Sequence, residues 1–382
     1  MRHNRKIIYI AGFLLSIPVA LTSYINSSIL EIYVNKYYLG IIYVIASIIT
    51  IIGMLLMPKI LTRLGNRFTT LLFSLLFLLS LSLLALGSKD FIIIPAFILY
   101  FASINLIYVS LDIFIEDFSK DSPIGGIRGA YLTIINCAWI ISQMISGSII
   151  AKSSFQGIYL LSALFMALVC VIFTLFLRDF NDPKYEKVPI SKTIIFFLQK
   201  KNFFKIYMID LILKFFYAWM IIYTPIYMHE YIGFDWGEIG IIFSIMLLPF
   251  ILLELPLGRL SDRIGEKKML LFGFVIISIS TLMIPLFTTK TLLLWAFILF
   301  ATRVGAATIE IMCESYFFKS IKEENADVLD FFRNTGPLSY IIAPLLAIPV
   351  LLFVPSFEYI FFVLGAVMLL GFLISLRLRD VK

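Results

Sequence analysis

Apolar runs of roughly twenty residues recur along the whole chain, separated by short polar or charged breaks. An α-helix rises about 1.5 Å per residue, so about 20 apolar residues cross a hydrocarbon layer of about 30 Å. The runs predict twelve spans: 7–30, 39–57, 68–87, 91–115, 128–151, 156–177, 203–228, 237–257, 269–288, 291–317, 327–352 and 356–376. A membrane barrel needs alternating segments of about ten residues, and none is present. The expected fold class is all-α and integral to a membrane.

Charge in the breaks orients these spans. With the N-terminus placed in the cytoplasm, 25 of the 31 Lys and Arg fall on the cytoplasmic face and 4 on the other (Lys36, Lys89, Lys152, Lys290). Lys214 and Arg303 lie within spans. Cytoplasmic loops collect Lys and Arg, so this split predicts that both termini are cytoplasmic. One connection is long: RDFNDPKYEKVPISKTIIFFLQKKN, residues 178–202. It starts charged, holds two prolines and ends in an apolar patch flanked by lysines, as a short helix on the membrane surface would. It divides the chain into a six-helix bundle at 1–178, a cytoplasmic linker at 179–202 and a second six-helix bundle at 203–382.

Composition adds exclusions. Hydrophobic residues make up 61% of the 382, charged residues 14%, and the mean hydropathy is +1.01. Soluble domains carry about 25% charged residues, so a soluble class is excluded. The net charge of +7 is explained by the oriented loops and does not point to nucleic acid. The three cysteines have no CxxC partner and the two histidines are far apart, so no disulfide framework, metal site, cofactor or Ser-His-Asp triad is expected. The opening stretch MRHNRKIIYIAGFLLSIPVALTS resembles a signal peptide, but its apolar run reaches about Leu30 and reads as an uncleaved first span.

The two halves repeat each other. MPKILTRLGNRF (57–68) ends span 2 and LGRLSDRIGEKKML (257–270) ends span 8, with Gly65 falling on Gly265. DIFIE (112–116) aligns with EIMCE (310–314) at an offset of 198, and Arg128 and Arg333 follow. Matching charged motifs in two six-span halves are a signature of secondary transporters. GRLSDRIGEKK resembles the G-x-x-x-D-R-x-G-R-[RK] signature that the major facilitator superfamily carries after its eighth helix. Gly258, Asp262, Arg263, Gly265 and Lys267 match, while Glu266 stands where a basic residue is usual. The first copy keeps Arg63, Gly65 and Arg67, with Thr62 in place of Asp and Pro58 in place of Gly.

That resemblance implies two bundles and a cytoplasmic gate. It places Arg63 and Arg67 near Glu116, and Arg263 and Lys267 near Glu314, with Asp262 facing the start of the eleventh span. Asp112, Arg128, Glu310 and Arg333 join the gate set. Asp112 and Glu310 lie one turn deeper than Glu116 and Glu314, and are also candidates for proton coupling with Asp210 and Glu254. The resemblance implies a central cavity lined by spans 1, 4, 7 and 10. Its candidate residues are Tyr24, Asn26, Asn105, Tyr108, Lys214, Tyr217 and Arg303, with Asn136, Trp139 and Gln143 from span 5. A bland alternative stands beside this: Lys214 neutralised by Asp210 at i, i+4, Arg303 by Glu254 or Glu310, and the amides serving only to join helices.

The expected function is a secondary active transporter that moves a small solute across a prokaryotic plasma membrane by alternating access, driven by protons. Partners are lipid, solute and protons, with no nucleic acid, and a monomer is expected. Facilitative transport or efflux without protons is one alternative, and a non-transporting sensor on the same fold is another. A membrane enzyme such as a lipid glycosyl- or acyltransferase needs catalytic loops, whereas the outer loops are short and His229 stands alone.

Overall fold

The computed structural model describes residues 2–119, 124–152, 154–176, 199–320 and 331–379. Within these, the side chains of 2–8, 36–37, 115–119, 124–132, 176, 254–255, 262, 318 and 320 are outside the description. The first half holds α1 (Arg2–Ser23), α2 (Asn26–Tyr33), α3 (Lys36–Leu86), α4 (Asp90–Ser119), α5 (Ile124–Lys152) and α6 (Phe155–Phe176). The second holds α7 (Lys201–Ile226), α8 (Trp236–Leu252), α9 (Glu254–Ile264), α10 (Glu266–Met283), α11 (Leu292–Ser320), α12 (Thr335–Phe353) and α13 (Tyr359–Leu376). Among the described residues nine helices are long and apolar enough to cross a membrane, or ten if the bent pair α1–α2 is one span. The surface fits a lipid environment: Leu75, Leu164, Phe272, Phe297 and Leu373 are all more than half exposed.

Three departures from uniform spans have local causes. The first predicted span bends by 43° between Ser23 and Asn26. Just before the bend, the Thr22 and Ser23 hydroxyls bond back to the carbonyls of Pro18 and Val19, at 2.8 and 2.7 Å. Such back-bonding tends to bend helices. The second departure is α3, in which two helices join at Gly65 with φ 73° and ψ 162°. Its repeat partner Gly265 has φ 88° and ψ 148° and separates α9 from α10. Only glycine enters this region without strain. The aligned glycines therefore do the same job in both halves. Third, the predicted span 237–257 is interrupted at Leu253, after the shorter α8. Pro256 lacks the N–H that would bond the Leu252 carbonyl, and its ring crowds that carbonyl.

The described helices cluster into two compact units, residues 1–187 with 235–240, and 188–234 with 241–382. In the first, α3 packs on α4 and α6, and α1 on α5 and α6. Its core includes an aromatic cluster in which Phe97 meets the rings of Tyr43, Tyr100 and Phe101. In the second, α10 packs on α11 and α13, while α7 packs on α11, α12 and α13. Gly273 and Gly305 face each other where α10 crosses α11. A Cβ on Gly305 would lie 2.7 Å from the Gly273 carbonyl oxygen. The close approach of two backbones is the usual reason for paired small residues in membrane helices.

Candidate functional site

The second unit assembles a charged group from two helices. On α7, Asp210, Lys214 and Tyr217 follow at four- and three-residue steps and so share one face. On α11, Arg303, Glu310 and Glu314 follow at seven and four. Lys214 Nζ donates to Glu310 Oε1 at 2.7 Å, and Tyr217 Oη donates to Glu310 Oε2 at 3.0 Å. Both oxygens of Glu310 are thereby held. The Lys214 and Glu310 side chains are 25% and 29% exposed, so the pair is reachable. Behind it, Arg303 is 1% exposed. Its guanidinium lies 5.0 Å from the Phe216 ring centre and 5.6 Å from that of Tyr217. Ring faces carry negative charge and attract a desolvated cation.

This arrangement differs from the alternative of a neutral pair within α7. Asp210 and Lys214 are one turn apart, yet the direct partner of Lys214 is Glu310 on α11. Asp210 is buried and its Oδ2 lies 2.6 Å from Thr335 Oγ1 in the first turn of α12. Asp210 is thereby engaged at the buried α7–α12 contact. Arg303 rests on aromatic faces. The side chain of Glu254, its other expected partner, is outside the described set.

Two more ion pairs lie at the ends of α10, α11 and α12. Arg333 Nη1 donates to Glu314 Oε1 at 3.0 Å. Lys319 Nζ donates to Glu266 Oε1 at 2.6 Å, and Ser315 Oγ lies 3.3 Å from the same oxygen. Glu314 thus meets Arg333 of its own unit, while Arg263 is exposed and Lys267 half-buried. In the first unit Arg67 donates to the Thr174 carbonyl at 3.1 Å, at the end of α6, and Arg63 is exposed. Asp112 is half-buried on α4, one turn before Glu116. The side chains of Glu116, Arg128 and Asp262 lie outside the described set.

Polar candidates of the first unit divide by partner. Tyr159 Oη donates to Asn26 Oδ1 at 2.7 Å, and Gln143 Nε2 donates to the Ala20 carbonyl at 2.7 Å. Both residues are buried and join α1–α2 to α5 and α6. Asn105 donates to the Phe101 carbonyl of its own helix at 2.8 Å. Tyr24 sits at the α1–α2 bend, edge-on to Trp139 with ring centres 6.5 Å apart. Tyr108 and Asn136 are half-buried. Sequence reasoning missed Tyr159, Thr335 and Lys319. No periodicity marks the first two. Lys319 had a signal in Glu266, an acid standing in a basic position that calls for a compensating cation.

Comparison with known proteins agrees with this architecture. A search of curated proteins found no significant match. Among solved structures, the chain is similar to a POT family transporter crystallised in complex with a thioalcohol-conjugated peptide. The TM-score is 0.80 at 15% identity, covering 98% of this chain and 96% of the other. That likeness concerns the fold. The sequence profile of the Major Facilitator Superfamily matches residues 8–237 and again 215–382, which between them cover both units. With its multiple apolar helices and its repeated half, the chain is a multi-pass membrane protein of the Major Facilitator Superfamily.

Proposed function

We propose that this secondary transporter moves a small solute across a prokaryotic plasma membrane by alternating access, coupled to protons. Twelve spans in two bundles, both termini in the cytoplasm and a monomeric state belong to this reading. The carrying observation is the Lys214–Glu310–Tyr217 group. It joins α7 to α11 near the middle of the apolar helix Lys201–Tyr231, and it is part-exposed. Ionisable groups at membrane depth are costly and mark solute or proton pathways. A carboxylate held by a lysine can trade that bond for a proton, and losing the bond frees one helix from the other. Glu310 is thus the first coupling candidate, followed by Asp210, Asp112 and Glu254. The pairs Glu314–Arg333 and Glu266–Lys319 belong to the cytoplasmic end, where weak ion pairs can break and re-form as a gate.

The test is flux in proteoliposomes of purified protein. An imposed pH gradient should drive accumulation of a solute, and collapsing the gradient should release it. Solute entry that ignores the gradient would replace proton coupling with facilitative transport. No movement of any solute in a broad panel would favour the sensor reading.

A further inference from the structure

We propose that Lys214 docks an oxyanion on the transported solute (a carboxylate, phosphate or sulfonate) and that Glu310 is a tethered competitor for the same ammonium. The proposal rests on the transporter reading above and names its solute class. It starts from hydrogen-bond capacity. An ammonium has three N–H donors and no acceptor. One donor of Lys214 meets Glu310 Oε1, and the Tyr217 ring flanks the group at 5.3 Å. Glu310 has a donor on each oxygen. The Lys214 ammonium keeps two further N–H donors at the part-exposed edge, and these suit a ligand with acceptor oxygens.

Charge points the same way. The charged and titratable groups around the Lys214–Glu310 pair are Asp210 and Tyr217 from α7 and Arg303, Cys313 and Glu314 from α11, while Arg333 and Thr335 reach Glu314 and Asp210. Each further acid has its own donor, Asp210 from Thr335 and Glu314 from Arg333. Lys214 and Arg303 balance Asp210 and Glu310, so the resting group is neutral. A proton added to Glu310 reduces its ion pair with Lys214 Nζ to a weaker hydrogen bond on a neutral acid and leaves one net positive charge. An oxyanion on Lys214 restores neutrality, whereas an amine would add a second buried positive charge beside Arg303. Buried unpaired charge is strongly unfavourable. Proton and oxyanion therefore enter together, the proton on a Glu310 oxygen and the anion on the Lys214 N–H groups.

The experiment measures thermal stability of the purified full chain. Lactate, benzoate and inorganic phosphate are compared with ethanolamine and benzylamine at millimolar concentration. At least one oxyanion should raise Tm by about 3 °C or more in a saturable way, and the amines should not. The effect should strengthen on acidification. In E310Q the effect of lactate or benzoate should tighten about tenfold and depend less on pH, because the competitor is gone. In the double variant K214Q/E310Q, which leaves no unpaired charge, it should vanish. Stabilisation by amines in place of oxyanions overturns the proposal, as does an oxyanion effect that survives in K214Q/E310Q or the absence of any oxyanion effect. Gradient-driven flux of an amine would sink the anion class and leave the transporter reading standing. Oxyanion binding to Lys214 without flux would do the reverse.

Discussion

Lys319 Nζ lies 2.6 Å from Glu266 Oε1, joining a lysine that is 41% exposed to an acid that is 3% exposed. The pair ties the first residue of α10 to the last turn of α11. The superfamily signature carries a basic residue at the Glu266 position, so this chain places the opposite charge there. The start of a helix favours a negative group, which suits Glu266 better than it would a lysine.

The contact can be tested by exchange. Lys319→Ala leaves a buried carboxylate with Ser315 as its side-chain donor, and should cost about 1–2 kcal/mol, less than a fully buried pair because the lysine is half in solvent. Glu266→Lys should cost more, since it sets two lysines together at a helix start. The exchange E266K/K319E should recover most of the loss but not all, because the helix start disfavours the new lysine by about 0.3–1 kcal/mol. Thermal unfolding of the wild type, K319A, E266K, K319E and the exchange E266K/K319E in one detergent decides it. Single-variant losses that simply add in the double variant would remove the contact from the account.

Gly65 and Gly265 give a second prediction. Both adopt positive φ with extended ψ, at 73° and 162° and at 88° and 148°. Alanine at either position should destabilise its own unit by about 1–3 kcal/mol through backbone strain alone. Because the two glycines are repeat equivalents in separate units, the effects should be similar in size and additive. Tm shifts of G65A, G265A and the double variant measure this. No loss in either single variant would contradict the strained geometry.

How much of this was legible in the sequence depends on the kind of interaction. Apolar runs located most helices because hydrophobic length is a local property, and the repeat aligned Gly65 with Gly265 because a Gly-only turn leaves a fixed letter. Side-chain pairing was legible only where both partners sit in one motif. The i, i+4 spacing of Asp210 and Lys214 suggested a pair within α7, but Glu310 comes to Lys214 from 96 residues away. Nothing in the sequence shows which neighbouring helix each polar side chain of α7 meets, and it is the packing of α11 and α12 that brings Glu310 to Lys214 and Thr335 to Asp210. The bend at Tyr24 was hidden for a similar reason: Thr22 and Ser23 break a helix only when their hydroxyls turn back on it.

Amide residues of the first unit supply a third prediction, separating helix joints from solute contacts. Asn26 and Gln143 are buried and bonded to other helices, so their variants should act on stability. Tyr159→Phe, which removes the donor to Asn26, should cost about 1–2 kcal/mol and leave the solute KM unchanged. Gln143→Leu should behave alike. A severalfold rise in KM at unchanged Tm, for either variant, would move that residue from the scaffold to the solute site.

Glu310 carries the last prediction, because it is where proton and solute would meet. Gln has nearly the same shape and keeps an acceptor for the Tyr217 hydroxyl, but it cannot take a proton. Glu310→Gln should therefore lose accumulation driven by a pH gradient while retaining exchange of labelled for unlabelled solute across the membrane. That exchange should depend less on pH than in the wild type, since Gln at this position cannot take a proton. Tyr217→Phe should give a milder phenotype: the carboxylate keeps its lysine and loses one hydrogen bond from a neutral donor to a charged acceptor, worth about 1.5–3 kcal/mol. Gradient-driven accumulation that persists in E310Q would shift the proton site to Asp210, Asp112 or Glu254. Among these, Asp210 is the next to examine, since its carboxylate is buried and its bond to Thr335 links α7 to the first turn of α12.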